Sequence, residues 1–384
     1  MVNFVTYSDY RIVLASSTTS FLMIFFILLI VIGITSKRTE NHFFDIPTTT
    51  SLRGVAVLFL IFSHLSIKCL QDKMFFNLGG YWAVIVFLFI SGYGLYQSYG
   101  LSNTENDFWK KRVSKLYIPL WITLALFIIL DHLLIKLHHP LLEIALNFLG
   151  FHFNGVLVRV NAVAWFVEYV MVLYFIFWIV SKLSFSEEVK ILILLFLCFS
   201  VYAMVRYTPV RNYHSIWLQY TIVFPTGIIF GKYKNVLQAL LSSKIKSRLL
   251  LLILSLISVA VFYKWNQLVS ISGSNILRPL SLIISIVLVS SLIETLNFQS
   301  TFLLFIGTYS YEIYLLHAPF MVKYDFFLYR KPFVIYFFFY FVVLLILSYM
   351  LSKISNMING NLFVLQNEKH NKANAADAKS RAAD

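Results

Sequence analysis

An arginine and a histidine eleven positions apart, Arg53 and His64, sit inside the otherwise apolar run LRGVAVLFLIFSHLSIKC, Leu52 to Cys69. On an α-helix, eleven steps turn through about 1100°, so the two side chains fall within roughly 20° of one face and about 16 Å apart. That is about half the thickness of a bilayer's hydrocarbon core. One face therefore offers a permanent cation suited to docking an anion. Three turns on, it offers an imidazole that exchanges protons near neutral pH. Ionisable groups at such depth are costly in lipid and ordinarily face a polar cavity. The competing reading is a snorkelling arginine and a histidine bonded to a nearby carbonyl. For this pair alone the two readings balance.

The surroundings that must position these groups are membrane-like. Of 384 residues, 59% are hydrophobic, 18% aromatic and only 12% charged, which excludes an ordinary soluble domain. The formal charge of +14 would suggest nucleic acid in a soluble protein. Here the gathering of Lys and Arg in cytoplasmic loops explains it, and a basic inner face attracts lipid headgroups and phosphorylated cosubstrates. Cys69 and Cys198 lie in separate apolar segments and leave the redox compartment undetermined.

Apolar runs predict an all-α, polytopic membrane protein of about eleven spans. They cover Ile12 to Ile34, the Arg53–His64 helix, Tyr81 to Tyr99, Tyr117 to Leu137, Trp165 to Lys182 and Val189 to Arg206. The rest are His214 to Gly231, Leu249 to Trp265, Arg278 to Leu296, Phe302 to Val322 and Phe333 to Leu351. Residues 1–50 form an N-terminal helix and connector, 51–355 the membrane domain, and 356–384 a polar tail expected to be disordered. Lys37 and Arg38 put the start of the Arg53–His64 helix inside. WKKRVSKLYIP, Trp109 to Pro119, reads as an interfacial helix on the inner leaflet, with a bare topology determinant as the alternative. Leu141 to Leu149 is apolar but too short to cross, which fits a re-entrant or interfacial helix. Lys323, Arg330 and Lys331 fall in a loop this topology puts outside, against the local charge rule.

The ordered motifs suggest a family. RGVAVLFLIFSH resembles the opening signature of the acyltransferase family 3 membrane proteins, in which an arginine and a histidine at this spacing are central. FLFISGYGL supplies a Ser-Gly-aromatic ending at Ser91, Gly92 and Tyr93. WKKRVSKLYIPLW resembles the family's basic patch before a Tyr-x-Pro helix start, AWFVEYVMVLYF its Trp-Phe helix at Trp165 and Phe166. IGTYSYEIYLLHAPF resembles its late helix, with Ser310, Tyr311, Tyr314 and His317. Three departures stand out: an additional first helix, a patch reading Lys-Lys-Arg-x-x-Lys, and no fused esterase-like domain. The resemblance implies a ten-helix acyltransferase core plus one N-terminal helix. It implies acyl-CoA, most simply acetyl-CoA, as cosubstrate, and contacts to substrate at Ser91, Tyr93, Trp165, Ser310, Tyr311 and Tyr314.

The residues themselves are consistent with that chemistry. Arg53 with Lys110, Lys111, Arg112 and Lys115 would hold phosphates at the inner mouth, and His64 would act as general base. His317 shares a helical face with Ser310 and Tyr314 and would orient the acceptor or support His64; a structural hydrogen bond weighs equally. Glu168, ahead of Glu312, is the carboxylate that would polarise a histidine or pair Arg53. Ser91-Gly92 reads as a close-approach site for a neighbouring helix. His132, His138, His139, His152 and His214 lie near the outer surface without a metal-like partner set, so no metal is expected. The leading expectation is an O-acyltransferase of the bacterial cytoplasmic membrane, acting on a glycan or lipid-linked saccharide among membrane lipids. Nucleic acid is not an expected partner, and homo-oligomerisation stays open. A transporter or flippase of a lipid-linked glycan, or a non-catalytic subunit of a polysaccharide synthase, is the alternative.

Overall fold

The computed structural model describes residues 27–28, 44–69, 74–102, 107–151, 160–209, 214–241, 245–268, 279–295, 300–324, 328 and 332–381. Their regular structure is helical throughout. In chain order the helices are α1 (Ile46–Cys69), α2 (Met74–Tyr99), α3 (Phe108–Leu134), α4 (Leu141–Leu149), α5 (Trp165–Lys182) and α6 (Glu187–Tyr207). A 3-10 turn (Ser215–Gln219) leads to α7 (Val223–Lys232), α8 (Lys234–Leu241), α9 (Ile245–Leu268) and α10 (Leu280–Thr295). The chain ends with α11 (Thr301–Thr308), α12 (Ser310–Val322) and α13 (Phe333–Arg381), which carries the helical backbone into the polar stretch. Six described segments are long and apolar enough to cross a membrane: 46–65, 79–99, 108–134, 165–182, 187–207 and 333–360. Most of the expected first span lies outside the described residues.

Three expectations need correction. His214 to Gly231 and Phe302 to Val322 are each broken in two, at the turn before α7 and at Tyr309 between α11 and α12. Interrupted backbone at such depth is tolerated where protein or a cavity covers it, and Ser310, the first residue of α12, lines a cavity. WKKRVSKLYIP is not a separate interfacial helix; it forms the first turns of one continuous 27-residue helix, α3, with Pro119 inside. Pro119 has no N–H to give the Lys115 carbonyl one turn back, so one ladder bond is missing there, and the Thr123 hydroxyl bonds the Pro119 carbonyl at 2.6 Å. The basic turns persist because Arg112 and Lys115 face that cavity.

α1 lies at the centre, packed on α2, α10, α11 and α12. Asp45 caps it, accepting from the Thr48 N–H at 3.0 Å. Phe44, just before, is buried with a positive φ of 56°, held by rings of Phe89, Tyr93 and Phe230. A Cβ on Gly54 would overlap the Leu303 carbonyl, and one on Gly307 the Thr50 carbonyl, so α1 and α11 touch backbone to backbone. Gly92 and Gly227 bring α2 and α7 together in the same way, which is the close-approach role read for Ser91-Gly92.

α4 is re-entrant. At one end His139 bonds Asp131 on α3; at the other, Trp121 and Tyr117 of α3 donate to the Phe148 and Leu149 carbonyls at 2.6 and 3.3 Å. The fourteen residues between Asp131 and Tyr117 measure about 21 Å of helix, so α4 descends well into the bundle. Glu143 and Asn147 line its buried face, whereas Leu141, Leu142 and Leu149 are exposed.

Candidate functional site

Arg53 and Arg112, with Lys115 and Lys234, converge on one cavity of about 780 Å³ between α1, α2, α3, α5, α8 and α12. Its rim reaches the exposed Ile46 at the basic end of the bundle. Among the described residues none of the four cations is ion-paired within the protein, and the only carboxylate on the lining is the capping Asp45. The Nε of Arg53 and the Nε of Arg112 are both buried without a hydrogen-bond partner. Buried polar groups are normally satisfied, so two orphaned guanidinium donors beside a cavity suit an anionic ligand.

Each cation is aimed by its neighbours. Arg53 donates to the Thr50 hydroxyl at 3.1 Å, one turn back on α1. The Arg112 guanidinium sits 5.6, 5.8 and 5.7 Å from the ring centres of Tyr99, Phe108 and Tyr174, caged by α2, α3 and α5. Lys234 lies 5.9 Å over the Tyr93 ring, and burial lowers its ammonium below the ordinary lysine value. The Tyr93 hydroxyl donates to the Phe44 carbonyl at 2.7 Å, which ties the mouth of the cavity to the start of α1.

The polar lining adds the exposed Gln97 and Ser98 at the mouth, and Ser91, Ser310, Tyr311 and Tyr314 further in. Tyr311 donates to the Leu116 carbonyl at 2.7 Å, and Tyr314 to the Val163 carbonyl. Three rings close the deep end: Phe87 to Phe166 at 6.3 Å, Phe87 to Tyr314 at 6.5 Å and Phe166 to Tyr314 at 5.3 Å between centres.

Beyond Tyr314 lie the two histidines. The His64 and His317 rings meet edge to face, centroids 5.1 Å apart, and Tyr314 touches His317 at 5.9 Å. His317 is fully buried, with Nδ1 2.7 Å from the Tyr314 carbonyl. A carbonyl only accepts, so Nδ1 carries the proton, and a neutral His317 keeps its lone pair on Nε2. That Nε2 has no hydrogen-bond partner.

The sequence-derived site is thus partly gathered. Arg53, Arg112, Lys115, Ser91, Tyr93, Ser310, Tyr311 and Tyr314 share the cavity, and His64 and His317 form a pair behind its deep end. Lys110 and Lys111 do not line it. Glu168 reaches neither histidine of the pair nor Arg53; its carboxylate meets the His214 Nε2 at 3.2 and 3.3 Å. Trp165 stacks on Tyr220 instead of facing the cavity. Glu312, one residue beyond Tyr311, lies within electrostatic reach of Arg53. His214 is buried, and the imidazole of His139 is held between Asp131 and Glu143. His132 and His138 are exposed, and His152 lies outside the described residues. No three His, Cys, Asp or Glu side chains cluster as a metal site among the described residues.

Sequence reasoning missed Lys234. It also missed a buried network on Asp131: Tyr324 donates to it at 2.5 Å, His139 lies at 2.7 Å, and Lys323 is ion-paired with it. The signal was available as two misfits that cancel. Asp131 is a lone carboxylate in an apolar helix, and Lys323 a lysine at the wrong end for the charge rule.

Residues 50–353 match a family model described as an acyltransferase domain. No curated protein and no solved structure matches the chain.

Proposed function

This chain belongs to the acyltransferase 3 family, and from that premise we propose that it moves an acyl group, acetyl in the simplest case, from cytoplasmic acyl-CoA to a glycan hydroxyl across the bacterial cytoplasmic membrane. The observation that carries the donor half is the convergence of Arg53, Arg112, Lys115 and Lys234 on one cavity, two of them with an orphaned buried Nε. The phosphates of coenzyme A match that charge, and planar guanidinium groups bind phosphate oxygens in pairs.

In this reading the cations hold the nucleotide at the basic mouth, and the thin pantetheine arm follows the lining past Ser91, Ser310 and Tyr311. The histidine pair supplies the base. An acceptor hydroxyl attacks the thioester carbonyl, the C–S bond breaks and an ester C–O bond forms. The hydroxyl proton goes to an imidazole nitrogen, for which the lone pair on His317 Nε2 and the adjoining His64 are placed, and then to the leaving thiolate. The base is a member of this pair, whose rings meet at 5.1 Å between centroids. The acceptor approaches from the side opposite the cations. A surface polysaccharide or a lipid-linked saccharide suits a catalyst buried at this depth.

The test is full-length protein in lipid supplied with acetyl-CoA labelled in the acetyl group. Label transfer or thioester hydrolysis that requires both Arg53 and His64 supports the reading. Full activity in Arg53→Ala and His64→Ala proteins present at normal levels would end it.

A further inference from the structure

We propose that Phe87, Phe166 and Tyr314 form a septum that selects the acyl group, admitting a short chain to the histidine pair and refusing a longer one. The inference rests on the donor reading of the cavity and names a determinant of its specificity.

The geometry follows from α12. Ser310, Tyr314 and His317 succeed one another on a single face at steps of four and three residues. The first two line the cavity and the third does not. What intervenes is the Tyr314 ring, with the cavity on one side and His317 5.9 Å away on the other. Phe87 from α2 and Phe166 from α5 complete the barrier, each in ring contact with Tyr314 and with each other. All three line the cavity.

The barrier is held rather than loose. Tyr314 is pinned by its hydroxyl to the Val163 carbonyl, in the segment between α4 and α5. Asn161 fastens that segment a second time, donating to the Leu315 carbonyl at 2.9 Å. Phe166 is buried, and its ring also meets that of Trp165 at 5.9 Å between centres. The rings come from three separate helices, so widening the gap means displacing packed elements, which close-packed interiors resist. A thioester docked by the four cations therefore meets these rings before it meets an imidazole. The space they leave decides how many methylenes pass.

The experiment compares acetyl-, propionyl-, butyryl- and octanoyl-CoA as donors for full-length protein in lipid nanodiscs, with coenzyme A affinity measured separately. The wild-type protein should prefer the short donors. Phe87→Ala and Phe166→Ala should raise kcat/KM for butyryl-CoA relative to acetyl-CoA by roughly tenfold or more, the usual worth of one or two methylenes in an apolar pocket. Coenzyme A affinity should stay at the wild-type value, because the phosphates are held elsewhere. Phe87→Leu and Phe166→Leu serve where the alanine proteins do not fold. Tyr314→Phe, which keeps the ring and frees it from Val163, should move the ratio in the same direction. Unchanged ratios in variants that bind coenzyme A normally would overturn the septum while leaving the donor site intact. A wild-type protein that neither binds coenzyme A nor turns over any donor would overturn the donor reading itself.

Discussion

In its neutral form His317 presents a lone pair on an unpartnered Nε2 while its ring lies edge to face against His64, 5.1 Å between centroids. The hydrogen bond from Nδ1 to the Tyr314 carbonyl fixes that tautomer. A histidine kept only for packing gains nothing from a lone pair held open in this way.

Removing either member should therefore cost turnover and spare donor binding. His64→Ala and His317→Asn are expected to lower kcat by about 10²–10⁴, the range for a general base, with KM for acetyl-CoA close to wild type. Asparagine retains a donor towards the Tyr314 carbonyl but has no Nε2, so an unchanged kcat in His317→Asn would assign His317 a structural role alone.

Arg112 separates charge from shape. Lysine keeps the charge but loses the planar group that the Tyr99, Phe108 and Tyr174 rings hold. Arg112→Lys and Arg112→Gln should both raise KM for acetyl-CoA, by about tenfold or more for the glutamine, as expected for losing a charge-assisted hydrogen bond. A wild-type KM in Arg112→Gln would take Arg112 out of the donor site.

Lys234 gives the proposed donor site a pH signature. Burial holds its ammonium below the ordinary lysine value, and a cation serving phosphates works only while protonated. Donor affinity should fall as pH rises through that lowered value, earlier than a surface lysine would dictate. Lys234→Arg stays charged there and should move the fall to higher pH. Superimposable profiles of KM against pH for the two proteins would exclude Lys234 from binding.

Much of this arrangement was legible in the chain. The eleven-residue step from Arg53 to His64 and the seven-residue step from Ser310 to His317 are set by helical periodicity, so their shared faces follow from spacing. Patterns of that kind do not say which helix stands opposite. Glu168 pairs with His214, forty-six residues on, through a packing that neither span announces. The basic run in α3 divides, two cations inward and Lys110 and Lys111 away from the cavity, because a helix shows its faces in turn. Local composition suggested an interfacial helix there; tertiary cover of Arg112 overrode it. The breaks at Tyr309 and before α7 went unread although polar residues interrupt the apolar runs there, Gly307 to Ser310 at the first and Gln219 to Thr221 at the second.

The Asp131–Lys323 pair predicts a stability effect remote from the cavity. Asp131 is completely buried and Lys323 is 17% exposed at the side chain. Asp131→Asn removes the carboxylate paired with the lysine and should lower unfolding stability by about 3 kcal/mol. Asp131→Asn combined with Lys323→Met should recover part of that loss. Thermal unfolding in detergent checks both; a single variant as stable as wild type would show that the pair contributes nothing.

Binding and turnover measured together on one preparation test the central claim most directly. Acetyl-CoA affinity and acetyl release are compared in wild-type, Arg112→Gln and His64→Ala proteins in lipid nanodiscs. The account predicts weakened binding in Arg112→Gln and wild-type binding with turnover largely abolished in His64→Ala. Wild-type affinity in Arg112→Gln together with undiminished turnover in His64→Ala would contradict it.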